Sequence, residues 1–169
     1  MYCDPACGSG NFLIVAYREL RKIETDIIVE LRRRQGETNF VLDIALEQKL
    51  SIGQFYGFEL NWWPVKIAET AMFLVDHQAN KELAERVGQA PSRLPINISA
   101  HIEHTNALAI DWKEYLPVPK GDTFIFGNPP FLGHATRTEE QANELRRLWE
   151  TKDISRLDYV TGWHAQRRP

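Results

Sequence analysis

Short apolar runs alternate with longer stretches of helical periodicity along this chain of 169 residues, and this alternation limits the possible folds most strongly. Strands are predicted at residues 2–3, 54–59, 96–102 and 122–127. Because helical stretches separate them, the pattern favours an α/β fold in which crossovers join the strands of a parallel sheet. Three strands and a two-residue stub make an incomplete sheet, since parallel sheets usually have more strands. We therefore expect the chain to be one part of a larger protein.

The predicted helices lie between and after these strands. Apolar residues recur every three to four positions in the first helix, which is expected to end before Gln35-Gly36 with three arginines in its last turn. Residues 88–92 contain glycine and proline and are expected to form a loop. The full set of predicted helices covers residues 11–34, 40–49, 61–76 with a continuation into 81–87, 138–150 and 156–165.

Composition and charge exclude several classes of protein. With 43% hydrophobic and 25% charged residues, the chain has the composition of a soluble globular protein and not of a disordered or fibrous one. No apolar stretch approaches the roughly 18 residues that a membrane-spanning helix needs, so no membrane association is expected. The net charge of −3 argues against a stand-alone binder of nucleic acid, because phosphate contacts depend on lysine and arginine.

The two cysteines and two histidines near the strands give little indication of a metal site. Cys3 and Cys7 have three residues between them and no second cluster, whereas a structural zinc site needs four ligands in paired spacings. His101 and His104 fall at the edge of a predicted strand and are expected to be solvated. No metal is therefore expected, and two reduced cysteines fit a cytoplasmic location.

A loop containing two glycines follows the first strand stub, in the string Asp4-Pro5-Ala6-Cys7-Gly8-Ser9-Gly10-Asn11-Phe12. Gly8 and Gly10 lack a Cβ, so the backbone can turn sharply there and let a ligand come close. Residue 13 is leucine, which excludes the G-x-G-x-x-G phosphate fingerprint, and the sequence has no P-loop lysine. Taken alone, Gly-Ser-Gly is also typical of an ordinary turn between a strand and a helix.

Two polar residues follow the next strands. Glu59 ends the strand at 54–59, where a carboxylate can accept hydrogen bonds from both hydroxyls of a ribose. Asn106 follows the strand at 96–102, and its side-chain oxygen can accept a hydrogen bond from a ligand. Taken alone, a solvated glutamate is the commoner case at such a position, and an ordinary loop asparagine fits nearly as well.

The string Gly127-Asn128-Pro129-Pro130-Phe131 comes directly after the last predicted strand. Two consecutive prolines remove two backbone donors and restrict the residues before them. They therefore fix where the Asn128 side chain and the Pro129 carbonyl point. A structural turn after a strand is the alternative interpretation of this motif by itself.

The loop of residues 4–12 and the Asn-Pro-Pro-Phe motif, in this order, resemble motif I and the catalytic motif of S-adenosylmethionine-dependent methyltransferases, particularly those that act on amino groups in DNA. A narrower resemblance is to the gamma-type DNA adenine-N6 methyltransferases of the MmeI-like (type IIG/IIL) restriction–modification family, and it extends from about Asp4 to Trp163. It depends on Gly127-Asn128-Pro129-Pro130-Phe131-Leu132-Gly133 and Leu157-Asp158-Tyr159-Val160-Thr161-Gly162-Trp163.

This resemblance implies a Rossmann-like class I methyltransferase fold, with an incomplete parallel sheet and flanking helices. Residues 1–169 would form part of a methyltransferase domain, with a cofactor-binding half at 1–110 and the catalytic motif and following helices at 111–169. The family's upstream region and target-recognition region are expected to be absent. The implied cofactor is S-adenosylmethionine, and the implied partner is double-stranded DNA, which is bound through the regions missing here.

The resemblance also implies roles for the residues that hold the cofactor. The loop of residues 4–12 lies under the methionine part, and Asp4 attracts the positive end. Glu59 holds the ribose, Leu60 packs on the adenine, and Asn106 replaces an acid that contacts the adenine amino group. The implied cofactor-binding residues are Asp4, Pro5, Ala6, Cys7, Gly8, Gly10, Glu59, Leu60, Asn106 and Ala107.

In the catalytic motif, the Asn128 side-chain oxygen and the Pro129 carbonyl would accept both hydrogens of the target adenine amino group. The nitrogen lone pair, otherwise drawn into the ring, would then face the methyl sulfonium without a strong base. Phe131 would stack on the base once it has left the duplex. The implied catalytic residues are Asn128, Pro129, Pro130 and Phe131.

Two alternatives remain open. Asn-Pro-Pro followed by an aromatic residue also occurs in methyltransferases of RNA bases and of protein glutamine, whose acceptor nitrogens present the same lone-pair problem. An inactive methyltransferase-like fragment that acts as a scaffold is the other alternative. The segment Asp158–Trp163 and the lack of a basic RNA-binding stretch favour DNA as the substrate.

Overall fold

The computed structural model describes residues 1–35, 48–88, 99–117, 121–154 and 156–166. Strands β1 to β4 comprise Tyr2–Asp4, Phe55–Glu59, His101–His104 and Phe124–Ile125. Helices α1 to α5 comprise Asn11–Gln35, Trp62–Val87, Trp112–Tyr115, Glu139–Trp149 and Thr161–Ala165. A 3-10 turn, Ile52–Gln54, leads into β2.

The strands of the described residues form one sheet in the order β3-β2-β1-β4, and every neighbouring pair is parallel. Cys3 of β1 lies opposite Tyr56 of β2 on one side and Ile125 of β4 on the other. The predicted α/β fold with a parallel sheet is therefore confirmed. Because all strands run the same way, their carboxyl ends meet at one edge, where parallel sheets commonly bind ligands.

The two long helices pack together on one face of the sheet. Leu13 and Tyr17 of α1 and Met72 of α2 lie in the same buried cluster as Phe55 and Ile102 of the sheet. The crossovers β1-α1-β2 and β2-α2-β3 step across the sheet in the same direction. Their right-handedness therefore puts both helices on the same face.

A buried polar network joins α1 to α2 within this layer. The Tyr17 hydroxyl donates to Asp76 at 2.5 Å, and the Arg21 guanidinium donates to Asn80 at 2.6 Å and to Glu24 at 2.9 Å. Burial raises the pKa of Tyr17, and Asp76 adds to the shift, so the hydroxyl stays protonated as a donor. These buried polar groups are therefore paired with one another, which limits the cost of desolvating them.

Smaller elements cover the opposite face of the sheet. Cys3 and Phe58 pack there with Ala107 and Trp112, and the half-buried Trp163 joins this cluster. A neighbouring cluster contains the buried side chains Leu108, Leu145, Ile154 and Tyr159. The chain after β4 therefore returns to pack against the turn that follows β3.

Several elements differ in length from the sequence prediction. β3 comprises His101–His104, so residues 99–100 of the strand predicted at 96–102 are not part of it, and β4 contains two residues instead of the six at 122–127. Strand length depends on a paired neighbour, and β4 pairs with β1 only at Tyr2 and Cys3. Residues 96–98 and most of the helix predicted at 40–49 lie outside the described residues.

The helices also differ in part. Residues 62–87 form one continuous helix, ended by Gly88 in the left-handed region with φ 73°. The helix predicted from residue 156 begins only at Thr161, because the Asp158 side chain accepts from the Val160 and Leu132 backbone N–H groups and competes with the helical pattern. The sequence prediction missed the short helix α3 entirely.

We expect Gly57→Ala to destabilise the domain, because β2 packs tightly against the loop after β1 at this residue. An added Cβ would lie 2.8 Å from the Cys7 Sγ and 3.0 Å from the Ile102 Cδ1. Overpacking of this kind costs about 1–3 kcal/mol, measurable as a lower urea midpoint. Gly133→Ala is the control, since an added Cβ there would have no atom within 4 Å. Equal stability of the two variants would contradict the assignment.

Candidate functional site

The loop after β1 is fixed against the sheet by backbone hydrogen bonds. The Cys7 N–H donates to the Phe58 carbonyl at 3.1 Å, and the Gly10 N–H donates to the Cys7 carbonyl at 2.8 Å. Gly8 and Gly10 have positive φ of 54° and 84°, a region that favours glycine. A Cβ on Gly10 would lie 3.0 Å from the Ala68 Cβ of α2. The loop therefore turns tightly and starts α1 close against α2.

The Asp4 carboxylate is fully buried at the carboxyl end of β1. Its Oδ1 accepts from the Ala6 N–H at 3.0 Å, while its Oδ2 has no hydrogen-bond partner among the described residues. Gly127, after β4, has φ 150°, and a Cβ there would overlap the Asp4 carboxylate. The ends of β1 and β4 therefore meet at these two residues.

Burial raises the pKa of Asp4 to about 6, although the Ala6 N–H opposes the shift, and Glu59 adds to it. A carboxyl in this state is partly protonated near neutrality. A positive ligand group beside it would favour the ionised form, since opposite charges at close range stabilise each other. The protonation state of Asp4 therefore depends on the charge placed beside it.

A first cavity of about 220 Å³ lies at the carboxyl ends of β2 and β3, and we call it the Glu59 cavity. Six of the predicted cofactor-binding residues line it, and Pro130 of the predicted catalytic motif lines it as well. The six are Pro5, Ala6, Glu59, Leu60, Asn106 and Ala107. The structure thus brings together residues from separate segments of the chain.

A second cavity of about 250 Å³ lies at the end of β4, and we call it the Asn128 cavity. Three of the predicted catalytic residues line it, namely Asn128, Pro129 and Phe131. The remaining predicted cofactor residues, Asp4, Cys7, Gly8 and Gly10, line neither of these two cavities. Asp4 instead lies close to Gly127, at the start of the predicted catalytic motif.

Pro5 and Trp163 line both cavities, so the cavities lie side by side with these residues as a shared wall. The Trp163 indole N–H donates to the Pro5 carbonyl at 2.9 Å, and its ring meets Tyr159 edge-on at 5.3 Å. The sequence prediction did not include Trp163 or Tyr159 among the site residues. Both residues fall in the helix predicted from residue 156, but that helix begins only at Thr161, so helical spacing would not have placed Tyr159 correctly.

The Asn-Pro-Pro-Phe loop is held at both ends and exposed in the middle. Before it, the Phe126 N–H donates to the Cys3 carbonyl at 3.0 Å. After it, the Leu132 N–H donates to Asp158 and the Leu132 carbonyl accepts from the Tyr159 N–H, each at 3.0 Å. Phe131 is 70% exposed. Its ring is therefore available to a partner that enters the Asn128 cavity.

The Glu59 carboxylate is oriented by the residue that precedes the next helix. Its Oε1 accepts from the Asn61 backbone N–H at 2.7 Å and from the Asn61 side chain at 2.9 Å. A carboxylate has about four lone-pair sites, so these contacts leave capacity for ligand hydroxyls.

The cysteines and histidines of the sheet have structural surroundings. Burial raises the pKa of Cys3 and of Cys7 to about 12, so both remain thiols. His101 stacks on Tyr56 with ring centroids 4.6 Å apart.

In the described part of the chain, no group of three or more His, Cys, Asp or Glu residues could hold a metal ion. The same part contains no helix that is both long and apolar enough to span a membrane.

The sheet order and the site at its carboxyl edge define a Rossmann-like α/β domain. The family described as "MmeI, DNA-methyltransferase domain" matches residues 1–168. DNA methyltransferase A of Bacillus subtilis (strain 168) is 34% identical over 165 residues, which make up 96% of this chain and 18% of that protein. The type IIL restriction–modification enzyme MmeI, solved in complex with DNA, matches with a TM-score of 0.86 and 38% identity. This match covers 98% of the present chain and 22% of MmeI.

The chain therefore belongs to the MmeI DNA-methyltransferase domain family. It spans about a fifth of the length of the relatives that it matches. The predicted family and the predicted Rossmann-like fold are both confirmed.

We expect Asp4→Asn to stabilise the domain at neutral pH. The folded state raises the Asp4 pKa from 3.8 to about 6. The stabilisation from the protonated Asp4 carboxyl is therefore fully present well below pH 3.8 and is lost as the pH rises through 6. The neutral amide avoids this loss, which gives an expected gain of about 1–3 kcal/mol at pH 7.5 and close to none at about pH 3. Urea unfolding at both pH values measures the difference. A pH-independent loss of stability would contradict the assignment.

Proposed function

We propose that this chain is the catalytic part of a DNA methyltransferase, which transfers a methyl group from S-adenosylmethionine to the N6 amino group of a flipped adenine. The observation that carries the proposal is the shared wall of Pro5 and Trp163, which places the Glu59 cavity directly beside the Asn128 cavity. A transferase needs its donor and acceptor sites next to each other, because reaction requires the two reacting groups in contact. Membership of the MmeI methyltransferase family supports the same conclusion.

The residues of the Glu59 cavity fit the nucleoside part of S-adenosylmethionine. Glu59 would accept from the ribose hydroxyls, Leu60 would pack on the base, and Asn106 would contact its amino group. The buried Asp4 carboxylate, with its unpartnered Oδ2, suits the positive end of the molecule. When bound, this cofactor supplies an electrophilic methyl group on a sulfonium.

The Glu59 cavity is smaller than a typical site for a molecule of this size. Its volume is about 220 Å³, against roughly 300–1,000 Å³ for most small-molecule sites. Further parts of the polypeptide would therefore complete the pocket around the methionine end. This agrees with the chain spanning only 18% and 22% of its two relatives.

The residues of the Asn128 cavity would activate the adenine amino group that accepts the methyl. The Asn128 side-chain oxygen and the Pro129 carbonyl would each accept one hydrogen of the adenine amino group. As the nitrogen becomes positive during transfer, these two fixed acceptors stabilise it more strongly than they stabilise the starting amine. The exposed Phe131 would stack on the extruded base.

The proposed partner is double-stranded DNA, and the proposed location is the cytoplasm. The chain carries a net charge of −3, so most contacts with phosphate would come from other regions of the protein. RNA bases and protein glutamine are the competing acceptors. Incubation of the intact protein with tritiated cofactor and either plasmid DNA, ribosomal RNA or a glutamine-containing protein separates them. We expect label in DNA as N6-methyladenine, and label only in RNA or protein would overturn the proposal.

We expect Asn128→Ala to lower methyl transfer by about 100–1,000-fold, as loss of one fixed transition-state contact does in other enzymes. Cofactor binding should stay unchanged, because Asn128 lines the other cavity. Transfer is measured with tritiated cofactor, and binding by calorimetry. Asn143→Ala on the exposed surface of α4 is the matched control and should behave as wild type. Full activity of Asn128→Ala would refute the assigned role.

Glu59→Ala should instead weaken binding of the methyl donor, S-adenosylmethionine. Loss of charge-assisted hydrogen bonds to the ribose should raise the cofactor Kd by about 10–100-fold, from roughly 1.5–3 kcal/mol of lost interaction. The rate at saturating cofactor should change little. Glu103→Ala, an exposed acid on β3 outside the cavity, serves as the control. An unaltered Kd for Glu59→Ala would rule out this position as the ribose contact.

A further inference from the structure

Glu144 of α4 connects two residues that line the Glu59 cavity. Its Oε1 accepts from the Asn106 side-chain Nδ2 at 2.5 Å, and its Oε2 accepts from the Tyr159 hydroxyl at 2.5 Å. Asn106 and Tyr159 both line the cavity, whereas Glu144 lies behind them and is half-buried. Glu144 therefore holds the wall of the cavity from outside.

The Asn106 side chain has one hydrogen-bond donor and one hydrogen-bond acceptor as its partners. The Leu108 backbone N–H donates to the Asn106 Oδ1 at 2.9 Å, and an N–H group can pair only with an oxygen of this amide. The Glu144 carboxylate only accepts, so it can pair only with the Nδ2. An amide held between one obligatory donor and one obligatory acceptor cannot rotate by 180° without losing both hydrogen bonds.

Other contacts keep Glu144 in place. Burial raises the pKa of Tyr159, and the neighbouring Glu144 raises it further, so the hydroxyl remains a donor to the carboxylate. One turn away on α4, the Arg147 guanidinium donates to the Leu108 carbonyl at 2.6 Å. The same helix therefore holds the turn at residues 106–108 at two points.

We propose that Glu144 is a positioning residue that determines which purine the cofactor site accepts. By fixing the Asn106 amide, it keeps the Oδ1 available as an acceptor for a 6-amino group and prevents the Nδ2 from taking its place. The inference depends on the proposed function, because it assigns the Glu59 cavity to the adenine of the cofactor. It adds that specificity for the 6-amino group is set by a residue that does not touch the ligand.

The test compares two ligands that differ only in the base. S-adenosylhomocysteine carries a 6-amino group, and S-inosylhomocysteine carries a 6-oxo group with a protonated N1. The intact protein should prefer the adenine ligand by about 10-fold or more, since a polar site rejects an analogue that leaves its group unpaired. The ratio of the two Kd values, measured by calorimetry, is the readout.

Glu144→Ala should reduce this preference to about 3-fold or less, because only the Leu108 N–H then opposes rotation of the Asn106 amide, which in the rotated orientation can donate to the 6-oxo group. Glu144→Gln keeps the size of the side chain and should give an intermediate ratio, since its amide can pair with either orientation of Asn106. Glu140→Ala on the exposed face of the same helix is the matched control and should keep the full preference.

A purely structural role for Glu144 predicts a different result. Both ligands would then weaken by the same factor in Glu144→Ala, the ratio would not change, and Glu144→Gln would keep the full preference. Either that outcome or the absence of a preference in the unmodified protein would overturn the inference. Methyl transfer to DNA by the unmodified protein is scored separately, so failure of the proposed function is recognised independently.

Discussion

The close approach of Gly127 to the buried Asp4 carboxylate is the constraint on which the rest of the site depends. A side chain at residue 127 would overlap this carboxylate, so the ends of β1 and β4 can meet only with glycine there. This contact brings the loop of residues 4–12, which starts α1, against the Asn-Pro-Pro-Phe loop. A parallel sheet supplies the common edge, and the missing Cβ lets the two loops reach each other across it.

The chain after the Asn-Pro-Pro-Phe loop builds the remaining walls of the two cavities. It returns across the face of the sheet that α1 and α2 leave open, and it contributes Tyr159 and Trp163 to the Glu59 cavity. Trp163 separates this cavity from the Asn128 cavity while being hydrogen-bonded to Pro5. The two cavities are therefore adjacent because the last described helix packs on the first loop.

Local patterns in the sequence were sufficient to predict the parallel sheet and the long helices and to single out the two motifs. Periodicity and turn chemistry involve residues close together in the chain, so Glu59 and Asn128 could be singled out from the sequence alone. Glu144 and Trp163 could not, because their roles arise only from contacts with Asn106 and Pro5. The short β4 was likewise overestimated, since its length depends on pairing with β1.

The hydrogen bond between Trp163 and Pro5 joins residues separated by 158 positions. Contacts between residues this far apart in the sequence cost loop-closure entropy. They therefore form late and slow folding relative to local contacts. During synthesis on a ribosome, the partition between the two cavities cannot form until almost the entire segment has emerged. The early helices can assemble beforehand, but a nascent chain of this kind acquires the two cavities last and together.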